Sequence, residues 1–179
     1  MKSVLIYSLI IGSFLLQSCG ASKEATETVV TENIDVSEVK PENIDTNAIV
    51  WMDFESAIDA NEKNKKPIFI DVYTSWCGWC VKMDNSTFKD KDVVKYMNEK
   101  FYSVKMDAES KDPIAFKEVL YEYKMYNEKT GYNELAVNLL GSSMSFPSFV
   151  ILSKKQVKVG VIKGYQQPSQ LLAALKKYE

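Results

Sequence analysis

Apolar residues along the chain fall into stretches of different period, and the period predicts the element. An almost unbroken apolar run from Val4 to Leu16 follows Met1-Lys2. From Ala21 to Asn47 there is no aromatic residue and no glycine, only scattered Val and Ile among Thr, Glu and Asp. Such a stretch cannot bury enough apolar surface to offset its ordering entropy, so it reads as a flexible tether. Element-forming patterns begin at Ile49. Ile49-Val50-Trp51 predicts an edge strand. Asp53 predicts a helix cap, with the helix running to about Asn64 on an apolar face of Phe54, Ala57, Ile58 and Ala60. The run from Ile68 to Tyr73 is nearly all apolar and rich in β-branched residues, the pattern of a central strand covered on both faces.

Beyond it, Val81-Lys82-Met83 reads as the start of a helix. Val93, Val94 and Met97 have helical spacing, and Phe101 to Met106 reads as a strand closed by Asp107. From Ile114 to Tyr126 the alternation is mostly period two, which predicts a hairpin over the competing helix capped at Asp112. Asn133 is placed to cap a helix from Glu134 to Leu140. Phe149 to Leu152 and Val157 to Lys163 read as two strands of a hairpin, with a turn from Ser153 to Gln156. Gly164-Tyr165 breaks the second strand, and Pro168 opens a last helix whose buried face is Leu171, Leu172 and Leu175. Strands mixed with helices predict an α/β layer fold.

The N-terminal run changes the picture of where the chain works. Val4–Leu16 is shorter than the about 20 residues of a membrane-spanning helix, and a charged start before a short apolar core reads as an export signal. It ends in Leu16-Gln17-Ser18-Cys19, which resembles the lipobox of bacterial lipoproteins, cut before a cysteine that then carries lipid. The expected organisation is a signal peptide over residues 1–18, lipidated Cys19 with a tether over 19–48, and one folded domain over 49–179. The expected location is the cell envelope, facing the periplasm or exterior.

Composition narrows the chemistry. The 179 residues carry a net charge of −2, which speaks against a broad nucleic-acid surface. There is no histidine, and every one of the 22 basic residues is lysine. That excludes His-dependent triads, His-containing zinc sites and guanidinium clamps. Three cysteines are present: Cys19, Cys77 and Cys80. A single Cys-x-x-Cys after a buried strand and at the opening of a helix, in an exported chain, is a redox signal. A purely structural disulfide is disfavoured because the loop it closes is tiny. Zinc is disfavoured because no other Cys or His completes four ligands, so no metal and no cofactor is expected. Cys77, at the helix N-terminus, meets free backbone N–H groups and the positive end of the helix dipole, so its pKa should fall below the free value of about 8.5. It is read as the accessible nucleophile, and Cys80, one turn on and deeper, as the residue that resolves a mixed disulfide.

Trp76-Cys77-Gly78-Trp79-Cys80 resembles the active site of the thioredoxin superfamily. Lys66-Pro67, Asp71, Thr87-Phe88, Val104-Lys105-Met106-Asp107, Phe146-Pro147-Ser148 and Gly164-Tyr165 extend the resemblance over most of residues 49–179. They make it most like the periplasmic C-terminal domain of the disulfide reductase DsbD. The resemblance implies a thioredoxin fold, with the predicted hairpin as an insertion, and thiol–disulfide exchange through a Cys77–Cys80 disulfide. It implies that Asp71 is a buried acid relaying a proton for Cys80, and that Pro147 is a cis-proline whose loop exposes backbone near Phe146 to a substrate strand. Trp76 and Trp79 would offer flat apolar contacts, with Trp79 standing where thioredoxin itself has proline. Lys105 reads as a solvated strand-end lysine, with pairing to Asp71 as the alternative. Tyr121, Tyr123, Tyr126 and Tyr132 read either as a recognition surface or as a satellite apolar cluster. The implied partners are protein thiols and disulfides and, for a reductase, a membrane electron donor. The alternative function is a non-catalytic module that binds through the cis-proline groove and the Tyr-rich insertion.

Overall fold

The computed structural model describes residues 47–142 and 144–179. The expectations for the signal segment, Cys19 and nearly all of the tether lie outside the described residues.

Strand β1 (Trp51–Met52) leads into helix α1 (Phe54–Lys63), capped as predicted by Asp53, whose carboxylate accepts the Ser56 N–H. Strand β2 (Ile68–Tyr73) is followed by α2 (Gly78–Asn85), a 3-10 turn (Thr87–Lys89), α3 (Lys91–Lys100) and β3 (Tyr102–Asp107). Then come β4 (Ile114–Phe116), β5 (Val119–Tyr121), β6 (Tyr123–Met125) and β7 (Gly131–Asn133). Helix α4 (Glu134–Leu140), β8 (Ser148–Leu152), β9 (Lys158–Lys163), α5 (Pro168–Leu175) and a 3-10 turn (Lys176–Tyr178) complete the order. The main sheet runs β1-β3-β2-β8-β9, with β1, β3 and β2 parallel, β8 antiparallel to β2, and β9 antiparallel to β8.

β2 is central, and its alternation builds two cores. Ile68, Ile70 and Val72 join Val150 and Leu152 of β8 on one face, under Phe54 and Ala57 of α1 and Leu135 and Leu139 of α4. Phe69 joins Phe149 and Ile151 on the other, under Met83 of α2, Val93 and Met97 of α3, and Leu171 and Leu175 of α5. The result is a helix–sheet–helix sandwich, the α/β architecture expected. In α5 the buried positions are Leu171 and Leu175, with Leu172 only half-buried.

The insertion differs from expectation. It is not one hairpin from Ile114 to Tyr126 but two in succession: β4 pairs with β5, and β6 pairs with β7. The first turns at Lys117 and Glu118, both at positive φ (51° and 65°), which a two-residue hairpin loop requires. Neither residue advertises that conformation. The second hairpin was hidden by Gly131, a poor strand former. Here a Cβ at 131 would collide with the Tyr123 ring, so glycine is what lets that ring lie across the strand.

Buried Asn133 ties the insertion down. Its side-chain oxygen caps α4 by accepting the Leu135 N–H (3.0 Å), its amide donates to the carbonyls of Asp112 (3.1 Å) and Tyr121 (3.4 Å), and its own N–H donates to the Ala108 carbonyl. Asn133→Ala removes a cap and two buried hydrogen bonds at once. It is expected to cost about 2–4 kcal/mol in urea unfolding monitored by circular dichroism.

Candidate functional site

The end of β2 delivers the chain to the cysteines. After Tyr73 a turn forms in which the Cys77 N–H donates to the Thr74 carbonyl (3.2 Å). Cys77 then takes the N-cap position of α2, and the Cys80 N–H at the helix start is shared between the Cys77 carbonyl (3.0 Å) and the Cys77 Sγ (3.1 Å). Cys77 and Cys80 form a disulfide with S–S 2.07 Å and Cα–Cα 5.3 Å. Cys80 is the deeper residue, at 2% exposed against 5% for Cys77. Cys77 is less open than the sequence alone predicts. The exposed surface at the site belongs instead to Trp76 (64%) and Trp79 (56%).

Each tryptophan is held by one ring and one charge. The Trp76 indole N–H donates to both carboxylate oxygens of Glu109 (3.1 Å each), and its ring meets Phe146 edge-on at 5.8 Å. Trp79 leans on Tyr165 at 5.6 Å, with the Lys82 ammonium 4.9 Å from both rings. The Phe146–Pro147 peptide bond is cis, as the resemblance implied. Because Val72 pairs with Ser148, Pro147 sits across from Tyr73, at the sheet end where β2 hands over to the cysteine turn. The Pro147 carbonyl accepts the N–H of Gly164, whose φ of 76° bends the chain out of β9 towards Tyr165. Trp76, Cys77, Trp79, Phe146 and Pro147 therefore gather at one end of the sheet.

Asp71 lies beneath, 1% exposed in the middle of β2. Its cross-strand partner in the parallel register is Lys105, and the Lys105 ammonium lies 2.8 Å from Asp71 Oδ2. That contact falls short of hydrogen-bond geometry, so neither carboxylate oxygen has a hydrogen-bond partner among the described residues. The same ammonium also binds Asp84, on the solvent side of α2. Lys105 is thus not the solvated lysine expected. The rings of Trp51, Tyr73 and Phe88 lie 5.0–5.6 Å from its Nζ and, with the two carboxylates, hold it. Burial pushes the Asp71 carboxyl up to about 6, against the pull of Lys105 and with a small push from Asp84. Burial alone would lower the Lys105 ammonium, but Asp71 and Asp84 reverse that and hold it above its ordinary value.

The sequence reading missed Asp84, Glu109 and Lys82, and it named Tyr165 only within the Gly164-Tyr165 motif, without its contact to Trp79. Asp84 had a legible signal, since four residues after Cys80 is the same helix face. Glu109 had none, because its partner Trp76 comes from another element.

The architecture and the Cys77–Cys80 pair define a thioredoxin-fold protein, and together they support a thiol–disulfide redox role. The chain belongs to the family Thioredox_DsbH, described as a protein of unknown function, DUF255, whose model matches residues 42–164. Among solved structures it is similar to a thioredoxin from Thermus thermophilus (TM-score 0.54, 16% identity, 73% of this chain and 86% of that one). It is also similar to a DsbH oxidoreductase (TM-score 0.51, 16% identity, 73% and 84%). At that identity the likeness concerns the fold. Human spermatogenesis-associated protein 20 is 33% identical over 69 residues, which are 38% of this chain and 9% of the human protein. The chain thus spans a small part of the curated relatives it matches. The resemblance to the thioredoxin superfamily read from the motifs agrees with these findings.

Burial of Asp71 has a measurable consequence. Its folded pKa, about 6, lies above the unfolded value of about 3.9. Between those values the unfolded chain has released the proton that the native state retains. Stability from this group is therefore complete below about pH 4 and lost as pH rises through about 6, a penalty on the order of 3 kcal/mol. Asp71→Asn escapes it. The urea midpoint of the variant should exceed that of the parent by more at pH 7.5 than at pH 4, and a gap independent of pH would remove the raised pKa.

Proposed function

We propose that the protein is an exported, lipid-anchored thiol–disulfide oxidoreductase that works in the reducing direction on protein disulfides. The observation that carries this reading is the Cys77–Cys80 disulfide at a helix N-cap, with the Cys80 N–H on the Cys77 sulfur. That donor favours a thiolate at Cys77 once the pair is reduced.

The dithiol form begins the cycle. The Cys77 thiolate attacks one sulfur of a substrate disulfide, the S–S bond breaks, and the leaving thiolate takes a proton. Cys80 loses its proton and attacks the Cys77 sulfur, and the second substrate thiolate departs and is protonated. Two electrons and two protons pass to the substrate, and the protein is left as the closed disulfide. Asp71, with a carboxyl near 6, is suited to hold the Cys80 proton near neutral pH where a surface aspartate is not. The Lys105 ammonium, shared with Asp84, links it towards solvent. A dithiol donor must return the two electrons, and outside the cytoplasm that role falls to a membrane disulfide reductase. The reducing direction rests on the motif resemblance, and the similar DsbH oxidoreductase supports the chemical class.

Cys77→Ser should abolish dithiothreitol-driven reduction of a protein disulfide. Cys80→Ser should accumulate the substrate on Cys77, seen as a mass increase that a reductant reverses. If Cys77→Ser keeps full function with its partner, the site is a non-catalytic binding surface instead. The anchoring reading rests on Leu16-Gln17-Ser18-Cys19. Cys19→Ser should move the protein from the membrane pellet to the soluble fraction and remove the acyl mass from the mature chain.

A further inference from the structure

The ring contacts beside the disulfide do not end at Phe146. Phe146 meets Tyr132 of β7 at 6.0 Å, and Tyr132 meets Tyr126, just past β6, at 6.2 Å. With the Trp76–Phe146 contact this makes an aromatic strip from the neighbour of Cys77 into the second hairpin of the insertion. Its far end stays open to solvent, with Tyr126 49% and Met125 54% exposed. It is also stiff. The Tyr126 N–H donates to the Thr130 carbonyl (2.8 Å), the Asn127 side chain accepts the N–H groups of Lys129 and Thr130, and Tyr132 packs against the core. On the other side of the site the rings stop, among the described residues, at Tyr165, with Lys82 against them.

We propose that this strip docks the polypeptide flanking the reacting cysteine of a protein substrate and selects segments that carry an aromatic or large apolar side chain within about six residues of that cysteine. The proposal rests on the thiol–disulfide reading above. Exchange brings the substrate backbone to Cys77, so the next surface it meets is Trp76, and the strip is continuous with that contact. Each ring-to-ring step of about 6 Å equals about two residues of extended chain, and three steps reach Tyr126. The exposed rings offer area to an apolar side chain, and their fixed positions leave little to order on binding.

The test uses the full chain with dithiothreitol as reductant and peptide disulfides that differ only in a Trp or a Ser placed six residues to either side of the cysteine. Glutathione disulfide serves as a substrate without a flanking segment. The parent should prefer one Trp peptide over its Ser counterpart by about five- to ten-fold in kcat/KM, carried mainly by KM. Tyr126→Ser should bring that ratio close to one, and Tyr126→Phe should restore it. A parent that does not discriminate, or a ratio that survives Tyr126→Ser, overturns the inference. So does a change of solution mass on Tyr126→Ser, which would make the strip a contact between two copies of the chain. If the parent turns over neither peptide nor glutathione disulfide, the thiol–disulfide reading itself fails and takes this inference with it.

Discussion

A carboxylate in the buried central strand of the sheet is the constraint around which the rest is arranged. β2 is hydrogen-bonded on both edges and covered on both faces, and Asp71 sits in its middle with only Lys105 to answer it. An ion pair of this kind does not stabilise a fold by default, because desolvating two charges costs several kcal/mol per ion and the attraction returns it only with good geometry. Here burial outweighs the pull of Lys105, and the carboxyl rises to about 6 instead of falling. A well-packed apolar side chain would serve the core better. The acid kept there, with its carboxyl near 6 in the strand that leads into the cysteine turn, is what the proposed proton-holding role draws on.

Lys105 makes the arrangement tolerable. Its ammonium has a buried carboxylate on one side, the exposed Asp84 on the other, and three aromatic rings within cation–π range. Burial would favour a neutral amine there, yet two carboxylates keep it charged. The group is therefore a fixed cation between interior and solvent, placed by the register that sets residue 71 opposite residue 105.

That register was the limit of what the sequence could disclose. The central strand, the caps at Asp53 and Asn133, the β8–β9 hairpin and the cysteine pair all follow from local rules of period, capping and spacing. They are correct because each element's own residues determine it. The Lys105 pairing depends on how two distant strands align, and period-two alternation does not fix alignment. Lys105 therefore looked like any strand-end lysine. The insertion failed for a related reason. Its turn at Lys117-Glu118 carries no glycine or asparagine, and β7 contains a glycine, so the residues that define two hairpins resemble one hairpin and a loop. Trp76 was legible as a flanking aromatic, but its clamp, Glu109, arrives from the loop after β3 and nothing local foretells it.

The two tryptophans show what such long-range partners accomplish. An exposed indole on a loop or first helical turn has rotamer freedom to lose when a partner arrives, at about 0.5–1.5 kcal/mol for each side chain immobilised. Trp76 loses part of it in advance, through a carboxylate on its N–H and an edge-on ring, and Trp79 through a cation and a tilted ring. The clamps are opposite in sign, so the two walls are not equivalent. A carboxylate stands beside Trp76 and an ammonium beside Trp79, so a charged chain docking there as proposed would be favoured in one orientation. The continuation differs too, because rings run on from Phe146 into the insertion on the Trp76 side and end, among the described residues, at Tyr165 on the other. A surface that is rigid, polar in charge and extended in one direction favours one orientation of the substrate chain. In that sense the insertion belongs to the site although it carries none of the reacting atoms.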